Sequence, residues 1–328
     1  DDMNETIECS LVASAFHMAM LRFILFSLRR KDMLYVLNVM RDDWTVNYRD
    51  PDDARLLADK TLAAFKLSKL FTLNVIFAGS TFAVMPALEQ ALSSGADHKT
   101  GVLPFGGYYY FNHTSSNLVY AISYTFNSML GIIGCSTIAG ATSFSLISTM
   151  HAAAKFALVR RHFQSITHRE WMQQPSFKFN LCVREHQQSI KFAETVEKII
   201  NLLALAQFVV STGLVCFAGF QLTTMLEDRA RLTKYSSFLN AAILELFVFS
   251  YSGQRLKTES EAVADFAYSS DWLGAYRKSI DIRMVIIRAS KACTITAAKF
   301  YDMSLESFLK VLSSSFSYFS VLIASQDK

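Results

Sequence analysis

Residues Thr294 to Leu322 read TITAAKFYDMSLESFLKVLSSSFSYFSVL. The first half is polar and charged at helical spacing. From Val311 to Gln326 there is no charge, only serine, aromatic and aliphatic residues. Read as a helix, this run has unlike faces. Ser313, Ser317, Ser320 and Ala324 recur at steps of three or four, which places them together. Ser314, Tyr318, Val321 and Ser325 form the neighbouring stripe, while Leu312, Phe316, Phe319 and Ile323 lie elsewhere. A helix touching only lipid has no use for a row of hydroxyls. One that lines water, or packs closely on copies of itself, does. The pattern alone leaves both readings open.

The composition around this stretch is that of a membrane protein. Of 328 residues, 52% are hydrophobic and only 18% are charged, against roughly a quarter in soluble chains. Four prolines and 12 glycines leave room for long uninterrupted helices. The opening, DDMNETIEC, lacks the basic region and cleavage site of a secretory signal. It reads as a polar loop entering a helix, and the chain is expected to be an N-terminally truncated piece. Cys9, Cys135, Cys182, Cys216 and Cys293 are widely spaced, with no CxxC or His/Cys cluster, so free packed thiols are expected and no metal or cofactor.

Runs long enough to cross a bilayer need about 20 apolar residues. Candidates are Cys9–Leu28, Leu70–Leu88, Asn117–Met150, Ile199–Leu226, Tyr235–Gly253 and Val311–Ser325. Lys and Arg crowd the segments after the first, third and fifth of these, but Glu89–Ser116 holds only Lys99. The basic segments are therefore expected on the cytoplasmic side. Both N-x-S/T sequons, at Asn4 and Asn112, fall on segments that this rule puts outside, where glycosylation occurs. The expected fold is an all-α membrane protein. It is a helical bundle with about six transmembrane helices, seven in the complete protein, plus cytoplasmic helical extensions. Its topology is inverted relative to G-protein-coupled receptors.

Two stretches carry a family resemblance. SGQRLKTESEAVADFAYSSDW, Ser252 to Trp272, resembles the sixth-helix signature of insect odorant receptors. KACTITAAKFYDMSLESFLKVLSSSFSYFSVL, Lys291 to Leu322, resembles their terminal-helix signature. Ser290 and Ala292 stand where that family often has Gln and Pro, and Ala298 where it often has Gly. The resemblance implies a ligand-gated, non-selective cation channel in the plasma membrane of sensory dendrites. It implies a heterotetramer with the shared co-receptor Orco, with permeating cations and membrane lipid as further partners. The last helix would line the pore, with Ser317, Val321, Ala324 and Ser325 facing it. The co-receptor's hydrophobic gate aligns with Val321 and Ser325.

In these terms the chain divides into an extracellular loop remnant (1–8), spans two to four with an outer-half ligand pocket (9–150), a cytoplasmic extension (151–198), spans five and six (199–253), an anchor region (254–300) and the pore-lining helix (301–328). A volatile ligand needs an enclosed apolar cavity with few polar groups. Candidates by depth are Phe16, His17, Met20, Gly79, Phe82, Tyr120, Tyr124, Asn127, Tyr235 and Phe238, though for each taken singly helix packing is the stronger explanation. Asn127 and His17 are the candidates for one orienting hydrogen bond. Of the ionisable residues within spans, Arg22 is long enough to snorkel, and Glu245 needs a hydrogen-bonding neighbour. No HExxH, P-loop, nucleophile elbow or catalytic carboxylate pair is present, so no enzyme is expected. The net charge of +4 fits basic segments near anionic lipid rather than nucleic acid. Alternative readings are a gustatory-receptor-type channel and a G-protein-coupled chemoreceptor. The latter lacks Asp-Arg-Tyr, Cys-Trp-x-Pro and Asn-Pro-x-x-Tyr here.

Overall fold

Long apolar runs with few helix breakers fold as long helices, since only a helix satisfies every backbone group within one segment in lipid. The computed structural model describes residues 2–47, 50–92, 102–106, 110, 112, 114–172, 177–224, 229–272 and 279–326. Its helices are α1 (Asp2–Leu28), α2 (Arg30–Asn47), α3 (Pro51–Leu92), α4 (Asn117–Gln164), α5 (His168–Met172), α6 (Phe177–Thr224), α7 (Arg229–Ser269), α8 (Ser279–Ala289) and α9 (Leu305–Gln326). Among the described residues, four of these helices are long and apolar enough to cross a membrane: α1, α3, α4 and α6.

The helices outrun the bilayer. α4 and α6 have 48 residues each, or about 70 Å at about 1.5 Å per residue, against an apolar core of about 30 Å. Their polar halves therefore project beyond it. There Phe156, Phe163, Trp171, Phe192, Val196, Leu256, Val263 and Ile282 form one buried core, contributed by α4 to α8. The apolar faces read as cytoplasmic helices thus find partners inside one chain. Charged residues tie the rim: His162 bridges Asp53 at 2.9 Å and Glu185 at 2.6 Å, and Arg161 reaches Asp52 and Asp53.

Two local expectations are corrected. Residues 2–8 continue the helix α1 instead of forming a loop, because nothing between Asp2 and Cys9 breaks a helix. The terminal helix begins at Leu305, not at residue 301. Before it, Thr296–Ala297 and Tyr301–Asp302 pair antiparallel as a short hairpin, β1 and β2. β-branched Thr294, Ile295 and Thr296 favour extended backbone, and α6 fixes the turn. The Asn201 carbonyl accepts the Ala298 N–H at 3.0 Å, and Glu197 accepts Thr296 Oγ1 at 2.6 Å and Lys299 Nζ at 2.8 Å. Ala298 and Lys299 are held at φ 47° and 68°. Ser304 Oγ then accepts the Ser307 N–H at 3.2 Å, a helix N-cap that starts α9.

α9 packs on α6 and α7 through one face. Met303, Val311 and Ser315 are buried, and Ser315 Oγ donates to the Thr212 carbonyl at 3.3 Å. Ser313, Ser317 and Ser320 lie on the opposite side and are exposed. Val321, Ala324 and Ser325 continue the helical backbone, but their side chains lie outside the described ones.

Candidate functional site

Five helices converge on one partly open space. α1 contributes Phe16 and Arg22, α3 Val75, Gly79 and Phe82, α4 Gly131, Gly134 and Cys135, α6 Gln207 and Leu214, and α7 Phe238 and Glu245. The cavity measures about 120 Å³, near the scale of an apolar cavity of about 150 Å³ that admits benzene.

Glycines make the space and aromatics shape it. A Cβ on Gly79 would stand 2.8 Å from Cys135 Sγ, and one on Gly131 would stand 2.4 Å from the Phe105 ring. The helices approach closely there because no side chain intervenes. Phe105 comes from the α3–α4 connection and lies across one end. It stacks on Phe82, with centroids 5.5 Å apart and planes at 18°, and meets Phe16 edge-on at 5.4 Å. Phe238 closes against Phe82 at 5.9 Å.

The opposite end is polar. Arg22, only 1% exposed, reaches Glu245 at 2.7 Å and Gln207 Oε1 at 2.6 Å, both through Nη2. Gln207 Nε2 donates to Glu245 Oε2 and to Ser211 Oγ, each at 2.9 Å, and Thr142 Oγ1 donates to Glu245 Oε1 at 2.6 Å. Arg22 therefore does not snorkel. It is paired across the bundle with the acid 223 positions away, which also answers the need of Glu245 for a neighbour.

The ten residues proposed from sequence divide. Phe16, Gly79, Phe82 and Phe238 line the cavity. His17 and Met20 do not: they lie on the outward face of α1, exposed, with His17 Nδ1 2.7 Å from the Ala13 carbonyl oxygen. Tyr120, Tyr124 and Asn127 brace the lining from behind. The Tyr120 hydroxyl donates to the Val102 carbonyl at 2.9 Å, the Tyr124 hydroxyl to the Ala83 carbonyl, and Asn127 Oδ1 accepts the Phe105 N–H at 2.9 Å. Asn127 thus positions Phe105 and is not part of the lining. Tyr235 is buried beside the cavity with Leu11, Leu214 and Ala242. Sequence reasoning missed Phe105, Arg22, Gln207 and Glu245 as lining. The signal available was one base and one acid inside otherwise apolar spans.

A helical bundle that keeps an aromatic cavity among apolar helices, with one buried ion pair at its end, defines a multi-pass membrane protein built around a small internal site. The family model described as 7tm odorant receptor matches residues 2–316, and the chain belongs to that family. It is similar to odorant receptor 13a of Drosophila melanogaster, 25% identical over 261 residues, covering 74% of this chain and 62% of that one. It is also 25% identical over 269 residues to putative odorant receptor 92a of the same fly, covering 78% and 64%. The chain thus spans less than two thirds of the length of these relatives. Its fold is that of the olfactory receptor OR5 from Machilis hrabei, solved in complex with eugenol: the TM-score is 0.85 with 12% identity, over 99% of this chain and 83% of that one.

Proposed function

We propose that this chain is the odorant-binding subunit of a ligand-gated cation channel in an insect sensory membrane, and that its ligand lodges in the cavity bounded by Phe16, Phe82, Phe105 and Phe238. The observation that carries the reading is the cavity itself, aromatic and of benzene scale, in a member of the odorant receptor family. A neutral volatile gains by leaving water for such a space, and the few polar groups at one end fix its orientation.

The pore reading rests on α9. Its buried edge faces α6 and α7, and its hydroxyl face is left for water or for other subunits. Assembly with the co-receptor around four such helices gives that face a lumen, with the gate near Val321 and Ser325. The α1 N-terminus and the α3–α4 connection then lie outside. Asn112 is exposed there, its Oδ1 accepting from Thr114 N and Oγ1 at 3.0 and 2.7 Å, and Asn4 and Asn112 are the proposed glycosylation sites.

The test is co-expression with the co-receptor and recording against an odorant panel. Val75→Phe, which fills the cavity, is expected to abolish ligand-evoked current while leaving surface expression intact, and Val321→Ala is expected to raise current at rest. Unchanged responses in Val75→Phe would remove the cavity from the mechanism. Ligand-evoked current without the co-receptor would favour an autonomous gustatory-type channel.

A further inference from the structure

The cavity's polar end does more than close an ion pair. Arg22 carries five N–H groups in a rigid fork. Both acceptors it meets, Glu245 Oε1 and Gln207 Oε1, lie on Nη2. Nε and Nη1 are buried and have no hydrogen-bond acceptor among the described residues. Buried donors are nearly always satisfied, and leaving one unmet is costly. The other acceptors at this end are already engaged: Glu245 takes bonds from Arg22, Thr142 and Gln207. Arg22 lines the cavity, as do Gln207 and Glu245.

We infer that the Nε and Nη1 face of Arg22 is the polar subsite of the odorant cavity, and that it selects a small aromatic-sized ligand bearing a neutral carbonyl acceptor over a hydrocarbon of the same shape. This rests on the proposed role of the cavity as the odorant site. The carbonyl oxygen accepts from the guanidinium while the apolar remainder lies among Phe16, Phe82, Phe105 and Phe238. A neutral acceptor fits better than a carboxylate. Glu245 already neutralises Arg22, so an anion would bring an uncompensated charge into an apolar space next to a carboxylate. Lys234 does not line the cavity; its Nζ stands 4.6 Å from the Phe82 ring centroid.

The test uses the purified receptor in detergent micelles, reading the ligand-induced rise in melting temperature. The ligands are acetophenone, ethylbenzene and benzoate, which share a ring and differ in C=O, CH₂ and CO₂⁻. In the unaltered protein, acetophenone should bind about ten- to hundredfold more tightly than ethylbenzene, as a hydrogen bond to a charged donor implies, and benzoate should bind least. Arg22→Met combined with Glu245→Gln removes both charges together, so neither is left stranded. This variant should bind ethylbenzene as before and lose the preference for acetophenone. Retention of that preference in the double variant overturns the inference, as does benzoate as the tightest ligand. Val75→Phe separates the two levels. If it abolishes binding of both neutral ligands and the carbonyl preference is absent from the unaltered protein, only the Arg22 subsite falls. If it leaves their binding intact, the cavity reading falls, and the subsite with it.

Discussion

Gly253→Ala is the most sharply defined perturbation in the molecule. Gly253 sits in α7 where that helix crosses the start of the terminal segment. A Cβ there would lie 2.2 Å from the carbonyl oxygen of Met303 and 3.1 Å from its carbonyl carbon and its Cβ. Carbon rests no closer than about 3.3 Å to a carbonyl oxygen, so one backbone must retreat by about 1 Å. Neither yields easily. The Met303 N–H donates to the Ile295 carbonyl at 2.8 Å, the hairpin before it is fastened to Asn201 and Glu197, and Met303 is buried. Overpacking of well-filled sites costs about 1–3 kcal/mol, and a clash between two backbones belongs at the upper end, about 3 kcal/mol. Because α9 starts two residues beyond Met303, the displacement should also reach the helix proposed to line the pore. Thermal unfolding in detergent should show the loss, and patch recording should show altered current at rest. Met303→Ala on the same background should not restore either, since the obstacle is main chain. Gly134→Ala is the matched control: its Cβ meets Phe16 at an ordinary 3.5 Å, so it should fold normally. Unfolding of Gly253→Ala indistinguishable from the parent would show that α7 and the α9 entry are not in backbone contact.

Ala298 is held at φ 47°, where a non-glycine residue stores about 1–2 kcal/mol, so Ala298→Gly should stabilise the protein by about 1 kcal/mol, read as a higher melting temperature. Glu245→Ala should strand the buried Arg22 charge at about 3–5 kcal/mol, and Arg22→Met added to it should recover most of that loss; a double variant as unstable as the single would mean the pair is not coupled. Asp43 is partly buried, which raises its pKa, but the His151 hydrogen bond and the Lys155 charge outweigh burial and hold it below the ordinary value of 3.8. Its contribution is therefore full above that value and is lost as the pH falls below it, so melting against pH should drop more steeply at the acid end in the parent than in Asp43→Asn.

The spans in α1, α3, α4 and α6 were legible in the sequence because lipid demands long apolar runs. The projecting helices were legible too, since residues such as Phe192, Val196 and Ile199 recur at helical spacing and are buried together. The hairpin was not. Its pairing spans only Thr296–Ala297 and Tyr301–Asp302, and what stabilises it is the distant Glu197 and Asn201 on α6. The cavity was half legible. Depth along a helix selected Phe16, Gly79, Phe82 and Phe238, but depth does not give direction around the helix, so His17 and Met20 fell on the outer face. Phe105 lies in a connection with no periodicity to reveal it. Arg22 and Glu245 stood out singly as ionisable residues in apolar spans, yet only the folded chain brings them to 2.7 Å.

The most direct measurement is a structure of the receptor, assembled with its co-receptor, in the presence of a ligand that evokes current. Ligand density enclosed by Phe16, Phe82, Phe105 and Phe238, with the serine face of α9 turned toward a central aqueous path, is the expected result. Density lodged elsewhere while this cavity stays empty, or α9 surrounded by acyl chains on its Ser313–Ser317–Ser320 face, would contradict the account.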